Sequence, residues 1–214
     1  MSQNIIFLFL VIILFGFGNS AFAQVQLLDV KWHGNIVETD SMTISEEAKS
    51  ITILSSGLVT GRIDNEFVEF TLPLEKDFHV ASVDWAETDS VHIILYQESI
   101  GTHMSTNFII IDKESFAVSE KESAGGFNFR KPIFKNQYMY LRSIGTVGKY
   151  DLKNRTYSWV FSDLYDRERG TFNIIEKPIF ENGIVTFISR DDFNGNVDTL
   201  RIDDDSGVIL KGNE

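Results

Sequence analysis

One tetrapeptide, KPIF, occurs twice in the chain, at Lys131–Phe134 and again 46 residues later at Lys177–Phe180. Each copy leads through a two-residue turn, Lys135-Asn136 or Glu181-Asn182, into a strand of alternating apolar and polar residues. A polar or glycine-containing loop and further strands follow in both cases. Self-similarity at a period of roughly 20 to 50 residues is typical of folds that repeat one supersecondary unit. The chain is therefore predicted to be a row of similar units.

A second recurring signal is an apolar residue followed by aspartate at the end of a predicted strand. It occurs at Asp64, Asp112, Asp151 and Asp203, with spacings of 48, 39 and 52 residues. An aspartate at the entrance of a turn accepts hydrogen bonds from backbone N–H groups about two residues further on, and so favours the turn. Four such hairpins predict four units, at about 42–72, 77–122, 127–161 and 171–211.

The residue pattern predicts an all-β fold. Short alternating segments rich in Ile, Val, Phe, Tyr and Thr are separated by Gly, Asn, Asp and Ser. Each unit has room for four strands. In the second unit these are HVASVDW, VHIILYQ, TNFIIID and SFAVSE, and in the last they are NIIEKPIF, GIVTFIS, DTLRID and GVILK.

The two later units resemble blades of PQQ-type or WD-like β-propellers, in which proline, an inner strand, an apolar-Asp turn and a late aromatic residue follow in order. The third unit carries this order at Pro132, Tyr138, Tyr140, Tyr150, Asp151 and Trp159. The last unit repeats most of it at Pro178, Val185, Phe187, Ile202, Asp203 and Gly207. The resemblance is confined to residues 127–211. It implies a propeller-like fold of about four four-stranded antiparallel blades, and no activity, because the cofactor residues of the family's larger members have no counterpart here.

Three arrangements of such strands remain open at this stage. Propellers typically have 4 to 8 blades, so four units suit a closed ring, but also an open arc. An antiparallel β-sandwich or meander is the alternative. The segment Val25–Trp32 is predicted to add a strand to the last blade and so to close a ring.

The N-terminal residues predict export. An apolar run from Ile5 to Phe17 precedes Ala21-Phe22-Ala23, which fits the A-x-A pattern of a signal-peptide cleavage site. We expect a signal peptide at 1–23, a single domain at 24–214, and a periplasmic or secreted location. The run is shorter than the roughly 20 residues that span a bilayer, so no membrane span is expected after cleavage. The chain has no cysteine, which excludes disulfides.

The net charge of −12 limits the class of partner. Binding to a phosphate backbone requires clustered Lys and Arg, so a nucleic-acid partner is not expected. A protein or glycan partner is compatible with this charge, and a basic protein would be attracted by it. The sequence leaves the oligomeric state open.

One segment suggests a metal ion. Oxygen-bearing side chains recur at alternate positions in DDFNGNVD, namely Asp192, Asn194, Asn196 and Asp198, as in a calcium loop. However, the sixth residue from Asp192 is Val197 rather than glycine, and Asn194-Gly195 is also a strong hairpin signal. Calcium is therefore a possible cofactor and a plain hairpin is the alternative; no other cofactor is expected.

No catalytic signature is present, since the chain lacks cysteine, a G-x-S-x-G motif and a glycine-rich phosphate loop. His79 and His92 are predicted on adjacent strands, where they could face each other. Trp85 and Trp159 are predicted to pack between units. The polar connection between the third and fourth units contains Arg167, Glu168 and Arg169, which suggests a partner contact.

Three functions fit these observations. The first is an exported, non-enzymatic binding module that recognises a protein or glycan through its blade loops. The second is an acidic periplasmic inhibitor or immunity-type protein that neutralises a basic toxin or enzyme. The third is a carbohydrate-active enzyme on a propeller scaffold, which would need a pair of carboxylates in a cleft.

Overall fold

The computed structural model describes residues 27–28, 32–36, 41–46, 49–125, 130–165, 174–190 and 195–210. Residues 27–28, 32–36, 46, 49 and 174 are described by their backbone alone. Within these ranges the chain forms 19 β-strands and no helix. It follows that no described segment is a helix long and apolar enough to cross a membrane.

The strands form four antiparallel sheets, each built around a run of consecutive strands. Two short strands come first, β1 (Leu27–Leu28) and β2 (Trp32–Ile36). The first sheet contains β3 (Ser41–Glu46), β4 (Lys49–Leu54), β5 (Leu58–Ile63) and β6 (Glu66–Thr71). The second contains β7 (His79–Glu87), β8 (Val91–Ile100), β9 (His103–Asp112) and β10 (Glu122–Gly125). The third contains β11 (Arg130–Lys135), β12 (Tyr138–Ser143), β13 (Thr146–Asp151) and β14 (Thr156–Phe161). The fourth contains β15 (Ile174–Ile175), β16 (Ile179–Glu181), β17 (Ile184–Arg190), β18 (Val197–Asp203) and β19 (Ile209–Leu210).

The two N-terminal strands extend the middle sheets. β1 pairs with β11, with Leu27 opposite Lys135, and β2 pairs with β7, with Ile36 opposite Ser82. The prediction that Val25–Trp32 completes the last blade is therefore wrong. β1 pairs with β11 at Phe134 and Lys135, which lie beyond Pro132 and its register shift, and the two added strands give partners to edge N–H and C=O groups of β11 and β7.

Three apolar clusters hold the sheets together, and each joins two neighbours. The cluster between the first and second sheets includes Ile51, Ile53, Trp85, Ile94 and Ile109. The cluster between the second and third includes Ile93, Phe108, Phe134, Met139 and Tyr150. The cluster between the third and fourth includes Tyr140, Trp159, Val185, Phe187 and Ile202. Among the described residues no apolar cluster joins the fourth sheet to the first.

This architecture confirms the predicted fold class: the chain is all-β, with four antiparallel sheets of at least four strands in a propeller-like arrangement. Trp85 and Trp159 are both buried between sheets, as predicted.

The KPIF motif marks a disturbed inner strand in both copies. In the third sheet Pro132 lies at a register shift between Arg130 and Ile133. In the fourth sheet Pro178 lies in the irregular segment that separates β15 from β16. Proline cannot donate to a strand ladder, and is therefore found at bulges and strand ends. The motif is thus a repeated interruption of pairing.

The turns after KPIF lie one residue later than predicted. Lys135 pairs with Tyr138 and Glu181 pairs with Ile184, so the turn residues are Asn136-Gln137 and Asn182-Gly183. Asn182 and Gly183 both have positive φ, of 50° and 73°. Asn-Gly favours a two-residue hairpin turn with positive φ at both central positions.

Three of the four predicted aspartate turns are confirmed. Oδ1 of Asp112 accepts hydrogen bonds from the backbone N–H groups of Glu114 and Ser115. The other two carboxylates act in the same way: Asp151 accepts from the N–H groups of Lys153 and Asn154, and Asp203 accepts from Ser206. The backbone N–H of Ser115 lowers the pKa of Asp112. The pKa of Asp203 is lowered first by the Ser206 hydroxyl, which donates to Oδ1 at 2.6 Å, and then by the Ser206 N–H.

The first aspartate turn is different. Asp64 and Asn65 have φ of 49° and 70° and are the two central residues of the β5–β6 hairpin. Such a turn needs no side-chain acceptor. The Asp64 carboxylate instead lies 3.5 Å from Nε2 of His92 in the second sheet.

The fourth strand of the second sheet also differs from the prediction. It is β10, at Glu122–Gly125, whereas Ser115–Glu120 makes only an isolated bridge between Val118 and Ile111. The hydroxyl of Ser119 accepts the hydrogen bond of the Ile110 N–H, at 2.9 Å. The Ser119 side chain therefore accepts the hydrogen bond that a backbone carbonyl of a paired strand would accept. Regular strand pairing begins only after Ser119.

Candidate functional site

A cavity of about 300 Å³ lies between the second and third sheets. We call it the cleft. Its lining combines polar residues from three strands of the second sheet with two cations from the first strand of the third. The lining residues are Ser82, Asp84, Leu95, Tyr96, Gln97, Thr106, Arg130 and Lys131.

A row of hydrogen-bonding side chains crosses the second sheet at the cleft. Ser82, Gln97 and Thr106 are direct neighbours on β7, β8 and β9. The Ser82 hydroxyl donates to Oε1 of Gln97 at 2.9 Å, and Nε2 of Gln97 donates to Oγ1 of Thr106 at 3.5 Å. The amide is thereby held in one orientation. The next row on the same face contains Leu95 and Phe108, so the polar row borders the apolar core.

The row ends at a glycine that brings the two sheets close together. Gly125 of β10 lies opposite Thr106 and has φ of 108°. A Cβ at this position would lie 2.1 Å from the hydroxyl oxygen of Ser143 in the third sheet. Ser143 is buried, and its hydroxyl has no hydrogen-bond partner among the described residues.

The third sheet contributes positive charge. Nζ of Lys131 lies 3.3 Å from Oδ1 of Asp84, and both side chains are partly exposed. Arg130 is exposed and lies directly opposite Arg142 on β12. Like charges directly opposite on neighbouring strands repel. Within the described part of the chain, neither guanidinium forms an ion pair with a carboxylate.

Arg142 does not line the cleft and is more enclosed than Arg130. Its Nη1 donates to the carbonyl oxygen of Ile175 at 3.3 Å, and its Nε is buried without a described partner. Burial, together with the charge of Arg130, lowers the pKa of Arg142. The arginine pair is therefore a local concentration of positive charge in an acidic protein.

The backbone is irregular around the cleft. The described strands contain four register shifts, and three of them border it, between Val80 and Ser82, between Ser123 and Gly125, and between Arg130 and Ile133. Bulges change the direction in which side chains point and are frequent beside functional sites. Here they place polar residues of three strands around one cavity.

A second polar cluster lies between the third and fourth sheets, away from the cleft. The buried carboxylate of Asp204 accepts hydrogen bonds from Lys135 at 2.6 Å and from the Tyr140 hydroxyl at 2.7 Å, and Lys149 lies 3.1 Å from it. Lys149 and Trp159 also donate to the backbone carbonyl of Asp204.

Aromatic rings complete this cluster. The ammonium of Lys149 lies 4.1 Å from the ring centre of Tyr138, and that of Lys135 lies 4.9 Å from the ring centre of Phe180. Cations are attracted to aromatic faces at such distances. Every charged group in the cluster therefore has a described partner within the protein. Such a cluster links the third sheet to the fourth and is structural.

A third cluster surrounds Glu98 in the second sheet. The fully buried carboxylate accepts hydrogen bonds from Asn107 at 2.7 Å, from Lys121 at 3.0 Å and from Ser105 at 3.1 Å. The backbone N–H of Glu75 donates to its second oxygen at 3.0 Å. This carboxylate ties the connection after the first sheet to the second sheet.

The histidines do not face each other as predicted. His92 lies opposite Glu87 at one end of β7 and β8, whereas His79 lies opposite Ser99 at the other end. His92 is fully buried, with Nδ1 3.3 Å from Glu87, and its ring packs against that of Trp85. The antiparallel pairing of two long strands separates the two histidines.

The sequence-predicted site residues are only partly described. Asp192, Asn194, Arg167, Glu168 and Arg169 lie outside the described residues. Asn196 and Asp198 are exposed, and the backbone N–H of Thr199 donates to the Asp198 carboxylate at 2.7 Å. Among described side chains, no group of three His, Asp or Glu is placed to hold a metal ion. The calcium loop and the partner contact remain predictions.

Sequence reasoning missed the cleft. The available signal was the presence of Ser82, Gln97 and Thr106 within strands that otherwise read as core, together with the lysine of the first KPIF copy. None of these residues forms a motif on its own. Only the register of β7, β8, β9 and β11 brings them together.

Comparison with known proteins gives little further information. No protein-family model matches the chain, and no curated protein sequence matches it. Among solved structures it is similar to the crystal structure of BamB from Moraxella catarrhalis, with 12% sequence identity and a TM-score of 0.28, over 87% of this chain and 76% of that chain. At that level the similarity assigns no residue a role.

Proposed function

We propose that the protein is an exported, non-enzymatic binding module that recognises a protein or glycan partner at the cleft between the second and third sheets. The observation that carries this proposal is the contrast between the cleft and the other polar clusters. Asp204 and Glu98 are buried and surrounded by donors from the chain itself. The cleft instead presents a hydrogen-bonding row and an arginine without an ion-pair partner among the described residues, beside open space.

Export is the part of this proposal that rests on sequence alone. It is supported by the apolar run and the A-x-A pattern in residues 1–23, which lie outside the described ranges. The inhibitor and the carbohydrate-active enzyme remain predictions from net charge and composition. The described lining of the cleft contains one carboxylate, Asp84, and it is ion-paired with Lys131.

The experiment is a comparison of partner capture by wild type and a cleft variant. Tagged chain from Gln24 onward is incubated with native cell envelope and culture fluid at low and high salt, and captured material is identified by mass spectrometry and glycan analysis. The cleft variant is Gln97→Ala with Arg130→Gln. The control is Thr43→Ala with Arg62→Gln, on the exposed face of the first sheet.

We expect one partner to be captured by wild type and by the control, and lost with the cleft variant. Capture that is equal for all three proteins would place recognition elsewhere and contradict the proposal. Urea unfolding of each variant shows whether a loss of capture reflects a loss of folding.

A further inference from the structure

Among the described residues, the charges at the cleft leave one cation without a carboxylate partner. Lys131 is held by Asp84, whereas Arg130 faces Arg142 across the strand pair. An anion bound at Arg130 would relieve the repulsion between the two guanidinium groups. Guanidinium binds carboxylates and phosphates through two parallel N–H groups. Because Asp84 lines the same cavity, a singly charged carboxylate is favoured over a phosphate, which carries more negative charge.

The polar row adds a different requirement. A hydroxyl, an amide and a hydroxyl on neighbouring strands, about 4.8 Å apart from strand to strand, all donate as well as accept hydrogen bonds. Their natural counterpart is a ligand with several hydroxyl groups, which do the same. Leu95, in the adjacent row, also lines the cavity, but it is buried in the core and contributes little exposed surface.

The size of the cavity selects among such ligands. A volume of about 300 Å³ is at the lower end of the range for ligand pockets, roughly 300 to 1,000 Å³. It accommodates one sugar ring and leaves no room for a folded peptide segment. A ring that carries both hydroxyls and a carboxylate meets all of these conditions.

We infer that the cleft binds an acidic saccharide, a sugar unit with a carboxylate, whose carboxylate contacts Arg130 and whose hydroxyls contact the partly exposed Ser82 and Gln97, while the buried Thr106 accepts from the Gln97 amide and so orients it. This inference rests on the proposed function and adds the class of ligand to it. The inference concerns only the sugar unit that enters the cleft. That unit could belong to a larger glycan, whose other parts would lie outside the cleft.

The test is calorimetric titration of the chain from Gln24 onward with two matched probes, trigalacturonic acid and its fully methyl-esterified form, at low salt and neutral pH. The two probes share rings and hydroxyls and differ at the carboxyl groups, which are charged in the acid and neutral and methylated in the ester. We expect the acid to bind and the ester to bind at least about tenfold more weakly, since a charge-assisted hydrogen bond is about twice as strong as a neutral one.

Three variants and one control variant assign the contacts between the probes and the cleft. Arg130→Gln is expected to weaken the acid about tenfold and to leave the ester unchanged, whereas Gln97→Ala weakens both probes. Arg62→Gln, on the exposed face of the first sheet, is the control and should change neither. Arg130→Lys keeps the charge but loses the planar fork, and should give an intermediate loss for the acid; this variant serves if Arg130→Gln reduces folding.

The outcomes separate this inference from the proposed function. Equal binding of acid and ester, lost in Gln97→Ala, would overturn the acidic class and leave the binding module intact. Tighter binding of tetraglutamate than of trigalacturonic acid would overturn the saccharide in favour of an acidic peptide. Cleft-dependent capture of a protein without any sugar binding would also overturn the saccharide alone. Absence of both sugar binding and cleft-dependent capture would overturn both proposals.

Discussion

Nζ of Lys135, in the third sheet, lies 2.6 Å from Oδ2 of Asp204, in the turn between the last two strands of the fourth. Lys149 lies 3.1 Å from the other carboxylate oxygen and is almost fully buried. This single carboxylate therefore pairs with two ammonium groups at the interface between the sheets. The fourth sheet is held by charge as well as by apolar packing.

Asp204→Asn is expected to destabilise the protein by about 3 kcal/mol, because it leaves the buried ammonium of Lys149 without a compensating charge. The free energy of unfolding can be measured by urea titration with tryptophan fluorescence. Asp205→Asn is the matched control, since Asp205 is adjacent and exposed, and should change stability by no more than about 0.5 kcal/mol. Similar losses of unfolding free energy for both variants would show that the buried ion pairs of Asp204 contribute little to stability.

Stability is expected to fall in acid, and Asp204 should account for part of the fall. Burial alone would raise the pKa of Asp204, but hydrogen bonds from Lys135, Tyr140 and Lys149 outweigh burial and lower it below its ordinary value. A depressed pKa in the folded state gives stability that is fully present above the ordinary value. That stability is lost as the pH falls through the folded-state value.

The urea midpoint should therefore decrease as the pH falls below about 4, where unperturbed Asp titrates. The decrease should be smaller in Asp204→Asn, which has lost this titrating group. Parallel pH profiles for wild type and variant would contradict the assignment. The turn carboxylates Asp112 and Asp203, whose pKa values are also lowered, remain in both proteins and supply the shared part of the profile.

Gly207→Ala should cost more than Gly183→Ala, although the two glycines have nearly the same φ, 72° and 73°. The strain of a left-handed alanine is about 1 to 2 kcal/mol at either position. A Cβ at Gly207 would lie 2.8 Å from Cβ of Trp159, whereas a Cβ at Gly183 has nothing within 4 Å. Overpacking adds about 1 to 3 kcal/mol, so the difference between the two variants measures the contact with Trp159.

Hydrogen exchange should distinguish the end sheets from the middle sheets. The second and third sheets each pack on both faces, whereas the first and fourth contribute to one described cluster each. In proteins whose units contact only neighbours, stability is a sum of unit and interface terms. Amides of Ile94, Ile109 and Leu141 should exchange more slowly than amides of β17 and β18. Uniform protection across all four sheets would indicate one closed, cooperative core.

The sequence contained most of the fold. Alternating segments and the turn aspartates were sufficient to predict four antiparallel sheets, because strand period and turn chemistry are local properties. Predictions failed where a non-local partner decided the outcome. The N-terminal segment joined β11 and β7 rather than the last sheet, and Ser119 displaced the final strand of the second sheet to β10.

The candidate site was less accessible to prediction for the same reason. Gln97 is separated in sequence from Ser82, Thr106 and Arg130, and nothing in the local sequence distinguishes these four from other polar residues in strands. Three register shifts decide that they share one cavity. Buried clusters such as that of Asp204 were missed because their partners come from different sheets, 69 residues apart for Lys135.

The pairing of β1 with β11 fixes the order in which the chain can complete its structure. Leu27 has no partner strand until Lys135 has been synthesised, and Trp32 has none until Ala86 has been. Pairings between distant segments form slowly, because the intervening chain must first be ordered. The earliest strands to emerge during synthesis therefore stay without a partner until much later strands exist, since β2 requires β7 and β1 requires β11.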